Sequence, residues 1–172
     1  VYQFYHADRT EKKQDYTPVA LAKLVAYLSY MPGEKVVYDC CCGSGALSIQ
    51  KWCANPKLKF ICEELDEKVL PILLFNLCIR NIEATIVNRD ILSGDIFHSY
   101  STVKGAMYAS VQRPMFPETE LQKADVSVSN PPFNLKSSVS EDITKDLPLK
   151  YTCNFAFVAH CLQRGERCAL IL

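Results

Sequence analysis

The sequence predicts an α/β domain built on a mostly parallel sheet flanked by helices. Three observations predict it. Short apolar runs rich in β-branched residues alternate with longer segments of helical period. The first three runs are separated by one helix each, the order that right-handed crossovers between parallel strands produce. Glycine, acidic residues and proline collect at the carboxyl ends of the runs, where an open parallel sheet holds its ligands.

The elements follow in order. Residues 1–15 are a lead-in. "YTPVALAKLVAYLSYMPGE" (16–34) reads as a helix, with Thr17 as its N-cap and Pro18 at the first helical position. Leu21, Leu24, Val25 and Leu28 recur at helical spacing, and Pro32-Gly33 ends the segment. "KVVYD" (35–39) is the first strand, and a glycine-containing turn leads to a helix over 46–55. "LKFICEE" (58–64) is the second strand. A long helix follows over 66–81, with Leu70, Leu73, Leu74 and Leu77 on one face and Pro71 early within it, at a cost in backbone bonding. "ATIVNRD" (84–90) is the third strand. Residues 91–123, with "YASVQRPMFPETE" (108–120), read as an irregular insert. "ADVSVS" (124–129) is the fourth strand and meets Pro131-Pro132, which cannot donate ladder bonds. A polar stretch (136–148), a helix over about 152–164 and a fifth strand, "RCALIL" (167–172), complete the pattern.

A chain of 172 residues, 49% hydrophobic and 22% charged, is one globular domain long enough for a sizeable core. Lys+Arg and Asp+Glu number 19 each, so bulk charge does not advertise a nucleic-acid partner. The nine cysteines argue against a disulfide framework. Cys40, Cys41 and Cys42 are consecutive, and the rest are scattered singly through apolar segments. No C-x-x-C pair occurs, and His6, His98 and His160 lack ligand spacing, so no metal is expected. A reducing cytoplasm fits this cysteine usage. No apolar run reaches membrane-spanning length, and Val1 does not begin a signal peptide.

The chemistry lies in the turns. "DCCCGSGAL" (39–47) follows the first strand. A dinucleotide fingerprint would need G-x-G-x-x-G, and Ser48 stands at the third glycine position. Asp39 would repel a pyrophosphate and suit an amine-bearing cation; it also fits a tight turn with a capping carboxylate. "CEELD" (62–66) ends the second strand. Glu64, with Glu63 beside it, stands where a ribose diol is held, and a solvated charge run is the alternative. Asp90 ends the third strand, placed to accept from an adenine amino group or to serve a turn. Three acidic strand tips in succession outline an ammonium, a ribose and an adenine. S-adenosyl-L-methionine has these parts and no phosphate. At the corner "NPPF" (130–133), the Asn130 carbonyl and the backbone carbonyls left by Pro131 and Pro132 fit an NH2 group, and Phe133 offers a stacking face. A base in a duplex reaches such a pocket only when flipped out.

These elements, in this order, resemble the methyltransferases that methylate adenine N6 in DNA. The likeness is greatest to the methylation subunits of type I restriction-modification systems. "YTP" (16–18) resembles that family's F/Y-T-P entry, "DCCCGSG" (39–45) its D-P-x-C-G-S-G loop and "CEELD" its G-Q-E segment. "NPPF" resembles its catalytic N/D-P-P-F/Y, and "NFAFVAHCLQRGERCALIL" (154–172) the helix and strand that follow. The resemblance implies a Rossmann-like S-adenosylmethionine-dependent methyltransferase fold. It implies cofactor contacts from Tyr16, Thr17, Asp39, Cys42, Gly43, Ser44, Gly45, Glu64, Asp90 and Asn130, and a target adenine held by Asn130, Pro131, Pro132 and Phe133. Cys40 stands where the family has a proline, and Cys62 where it has a glycine. Against that family the chain is expected to be truncated after the fifth strand and to lack a target-recognition domain. Recognition of DNA would then need a missing segment or a specificity subunit. The N-P-P-F corner holds any planar amine, so guanine N2 in RNA and glutamine amides in proteins are alternative targets. A non-catalytic cofactor-binding module is a further alternative.

Overall fold

The computed structural model describes residues 17–114, 123–132 and 153–171. Its seven strands are β1 (Val36–Asp39), β2 (Lys59–Glu64), β3 (Ala84–Arg89), β4 (Ile96–Val103), β5 (Ser110–Gln112), β6 (Ala124–Ser129) and β7 (Gly165–Leu170). The helices are α1 (Val19–Leu28), α2 (Ala46–Ala54), α3 (Leu70–Cys78) and α4 (Cys153–Arg164). The strands form one sheet in the order β5-β4-β3-β2-β1-β6-β7. β3, β2, β1, β6 and β7 run parallel, as expected, and β4 and β5 add an antiparallel edge.

That edge corrects the reading of 91–123 as irregular. Ile96–Val103 pairs antiparallel with β3, from Ala84↔Thr102 to Arg89↔Ile96, and β5 pairs with β4. The strand read as the fifth is therefore the seventh. In β4 a run of aromatic and β-branched residues, Phe97, Tyr100, Thr102 and Val103, carried the signal. The run alternates weakly because this edge of the sheet is only half buried.

Alternate strand residues point to opposite faces, and the core is split accordingly. Val37, Phe60, Cys62, Ile86, Val126 and Val128 face a layer formed by Ala22 and Val25 of α1, Leu47 of α2, and Leu70, Leu73 and Leu77 of α3. Val36, Tyr38 and Ile61 face Ala156, Phe157 and Cys161 of α4. Full burial of each Leu, Ile or Phe side chain contributes roughly 1.5–3 kcal/mol, so both layers are needed to stabilise the sheet.

Two helix starts differ from expectation. Pro18, with φ −58° and ψ 142°, occupies the N-cap position of α1, and no side chain caps that helix. Thr17 is thus not the cap. The buried side of α1 is Ala22, Val25 and Ala26, whereas Leu24 and Leu28 are exposed. Helix α3 begins at Leu70, which puts Pro71 in the first turn, where no intrahelical N–H bond is lost. The expected cost of Pro71 is therefore absent.

Candidate active site

The loop after β1 is built from the backbone outward. Gly43 (φ 53°) and Gly45 (φ 91°) adopt left-handed conformations that side chains disfavour. A Cβ on Gly45 would stand 3.0 Å from Leu73 Cδ1, so this glycine lets the loop close onto α3. A Cβ on Gly43 would meet open space, so there a ligand can approach the backbone. Asn76 of α3 donates to the Ser44 carbonyl at 3.0 Å, and the Cys42 amide donates to the Glu63 carbonyl at 3.0 Å.

Glu64, at the tip of β2, is 9% exposed. Its Oε2 accepts from the Gly43 amide at 2.8 Å and its Oε1 from the Asp66 amide at 2.8 Å. The glycine loop and the tip of β2 are thereby one unit. Asn88 of β3 donates to the Glu64 and Leu65 carbonyls at 2.8 and 3.0 Å and fixes the same tip from the other side. Glu63 points to the opposite face. It accepts from the Tyr38 hydroxyl in a short hydrogen bond, and its carboxylate meets His160 Nε2 at 3.0 Å and Arg89 Nη1 at 3.3 Å. Burial works against ionisation of Glu63. Hydrogen bonding to His160, the charge of His160, the Tyr38 hydroxyl and Arg89 together hold its carboxyl below the usual range.

Asp39 closes β1 with 1% exposure. Oδ1 accepts from the Ser129 hydroxyl at 2.9 Å and the Cys41 amide at 3.4 Å, and Oδ2 lies 3.5 Å from the Ser48 hydroxyl. Burial pushes its carboxyl up to about 8, with Cys40 and Glu64 adding to the rise and Ser129 and Cys41 opposing it. Asp90 ends β3, and its Oδ1 accepts from the Leu92 amide at 2.8 Å, so this carboxylate also shapes a turn.

The corner after β6 adjoins this loop because β6 pairs with β1. Ser129 bonds Asp39, and its neighbour Asn130 donates from Nδ2 to the Thr17 hydroxyl at 3.0 Å, across 113 residues of sequence. Pro131 is buried and Pro132 half-buried. Tyr16 and Phe133 lie outside the described residues. The cysteines that depart from the family pattern have apolar lodgings. Cys40 Sγ lies 3.4 Å from both Cys161 Sγ and Ser129 Oγ, and Cys62 is fully buried with Sγ 3.6 Å from Ser48 Oγ. None of the nine cysteines is in a disulfide. Among the described residues, no group of three or more His, Cys, Asp or Glu is arranged to hold a metal, and no helix is long and apolar enough to cross a membrane.

Ser129, Ser48, Asn76 and Asn88 escaped the sequence reading. Only the position of Ser129 directly before the corner marked it, since a strand-interior serine is otherwise unremarked.

Sheet order, glycine loop and proline corner define a methyltransferase fold. The family described as N-6 DNA Methylase matches residues 2–171, and this chain belongs to it. A type I restriction enzyme methylase subunit from Methanocaldococcus jannaschii is 25% identical over 138 residues, which cover 76% of this chain and 21% of that protein. The solved type I restriction-modification methyltransferase subunit of Streptococcus thermophilus superposes with a TM-score of 0.65 at 21% identity, over 87% of this chain and 32% of that one. A putative RNA methyltransferase from Pyrococcus horikoshii superposes with a TM-score of 0.57 at 18% identity, over 94% and 63% of the two chains. The chain thus spans about a fifth of the curated relative it matches.

Proposed function

We propose that this chain is the catalytic core of an adenine-specific DNA methyltransferase that transfers a methyl group from S-adenosyl-L-methionine to adenine N6. Family membership supports the reaction class. The single observation that carries the reading is the contact between the two halves of the site. The Asp39 loop and the Asn130 corner are joined through Ser129 at 2.9 Å, so a donor on one and an acceptor amine on the other are neighbours.

The residues present fit the cofactor. The loop over 39–45 carries no Lys or Arg, which suits a ligand without phosphate. Gly43 leaves its backbone open, and the buried Asp39 carboxyl has no cationic partner among its hydrogen-bonding neighbours. Glu64 would hold the ribose, Asp90 the adenine, and Cys42, Gly43, Ser44 and Gly45 the body of the molecule, with Tyr16 and Thr17 nearby. When bound, it supplies a sulfonium methyl group. Asn130 and the corner carbonyls accept hydrogen bonds from the target amine and sharpen its lone pair for attack. The amine loses its proton to solvent after the N–C bond forms. Phe133 stacks on the flipped base. The other partner would be a specificity subunit or a target-recognition domain elsewhere in the protein; both type I relatives are themselves subunits of larger systems.

The test is labelled methyl transfer by the complete protein, with any partner subunit, to DNA, RNA and protein in parallel. Label is expected in DNA adenine only. Asn130→Ala should reduce single-turnover transfer by at least about 100-fold, a loss of roughly 3 kcal/mol felt mainly in the transition state, with cofactor affinity nearly unchanged. Label in RNA or protein instead would replace the proposed substrate, and substantial transfer by Asn130→Ala would reduce the corner to a turn.

A further inference from the structure

An asparagine amide has a donor end and an acceptor end, and only its oxygen can receive an adenine NH2. Something must set which end faces the target. The Nδ2 of Asn130 donates to the Thr17 hydroxyl at 3.0 Å. Thr17 is 8% exposed and immediately precedes α1, yet its hydroxyl is not spent on the helix, because Pro18 stands at the N-cap and no side chain caps α1. The backbone of Pro18, φ −58° and ψ 142°, holds Thr17 outside the helical turn. The α1 entry is itself anchored, through Ala22 at 0% exposure and the Ala22 amide bonded to the Pro18 carbonyl at 2.9 Å.

We infer that Thr17 is a positioning residue that holds the amide of Asn130 in place at the corner, with its NH2 end on the Thr17 hydroxyl and its oxygen toward the target amine. This rests on the methyltransferase reading proposed above. Thr17 touches neither reacting atom in this role. It acts by accepting a hydrogen bond from the NH2 end of Asn130, which restrains the amide at the corner.

Valine keeps the shape of threonine and removes the hydroxyl, and serine keeps the hydroxyl and removes the methyl. Single-turnover transfer to adenine-containing DNA should be measured with the complete protein and any partner subunit, alongside the Kd for cofactor and the melting temperature. Thr17→Val should slow transfer about 10–100-fold at saturating cofactor, with both Kd and melting temperature near wild type. Thr17→Ser should bring the rate back to within a few-fold of wild type. Should the valine variant fail to fold, Thr17→Ala carries the same expectation. A wild-type rate for Thr17→Val overturns the inference, and so does a loss confined to cofactor affinity. An inactive wild type overturns the methyltransferase reading and this inference together, whereas an active wild type with an unaffected variant overturns this inference alone.

Discussion

Two buried carboxyl groups lie on neighbouring strands, and their surroundings are opposite. Glu63 is enclosed beneath the sheet with His160, Arg89 and the Tyr38 hydroxyl, and these hold it ionised against the effect of burial. Asp39, at the carboxyl edge, has two hydroxyls and one amide but no cation among its hydrogen-bonding partners in the described residues, and burial pushes it up to about 8. Near neutral pH the raised value favours the neutral form of Asp39. The contrast separates a carboxylate satisfied by its own fold from one that still lacks a charge partner. Perturbed carboxyls of the second kind mark functional sites. On this account Glu63 stabilises the fold and Asp39 awaits a ligand cation.

The largest test of that contrast is Glu63→Ala, which would leave His160 and Arg89 facing an empty buried pocket. Removing one partner of a buried pair costs roughly 3–5 kcal/mol, so denaturant unfolding should show a loss of that size, with Glu63→Gln losing less. A neutral result would place Glu63 in a solvated cluster.

The second test uses the sign of the two shifts. A raised folded-state pKa gives stability that is full below the unfolded value, 3.8 for Asp39, and is lost as pH rises toward about 8. A lowered one, as for Glu63, gives stability present above its ordinary value of 4.5 and lost as pH falls. Between pH 4 and 8 the protein should therefore lose stability on the order of a few kcal/mol. Asp39→Asn should flatten that slope while leaving the acid limb in place. An unchanged slope would assign it to another group.

A smaller effect sharpens the difference between adjacent residues of one type. Glu64→Ala should leave stability closer to wild type than Glu63→Ala does, because the Gly43 and Asp66 amides it serves lie at the sheet edge. Its cost should instead appear in cofactor affinity, by roughly 1.5–3 kcal/mol on titration. Equal affinity would remove Glu64 from the proposed site.

The centre of the parallel sheet was legible because β1 and most of β2 are buried on both faces and read as continuous apolar runs. Val36–Tyr38 and Phe60–Cys62 are such runs, each followed at once by an acidic residue. β4 and β5 were not legible, since an edge half open to water carries Ser99, Ser101 and His98 among its aromatics, and β5 is exposed throughout. The strand-tip acids were visible as residue types. Their partners were not, because Thr17 and Asn130 are 113 positions apart and Ser129 and Asp39 are 90 apart. Only the β1–β6 pairing brings the last two together. Thr17 was legible as a helix start, and only the fold showed Pro18 taking the cap and leaving the hydroxyl for Asn130.

On the function proposed above, Asp39 should be neutral in the free protein and become charged when the ligand's cation arrives. Calorimetric titration with S-adenosyl-L-methionine at pH 7, repeated in buffers of different ionisation enthalpy, counts the protons exchanged on binding. Net proton release on cofactor binding is expected for the wild-type protein, and none for Asp39→Asn. Tight binding whose heat is independent of the buffer would contradict it.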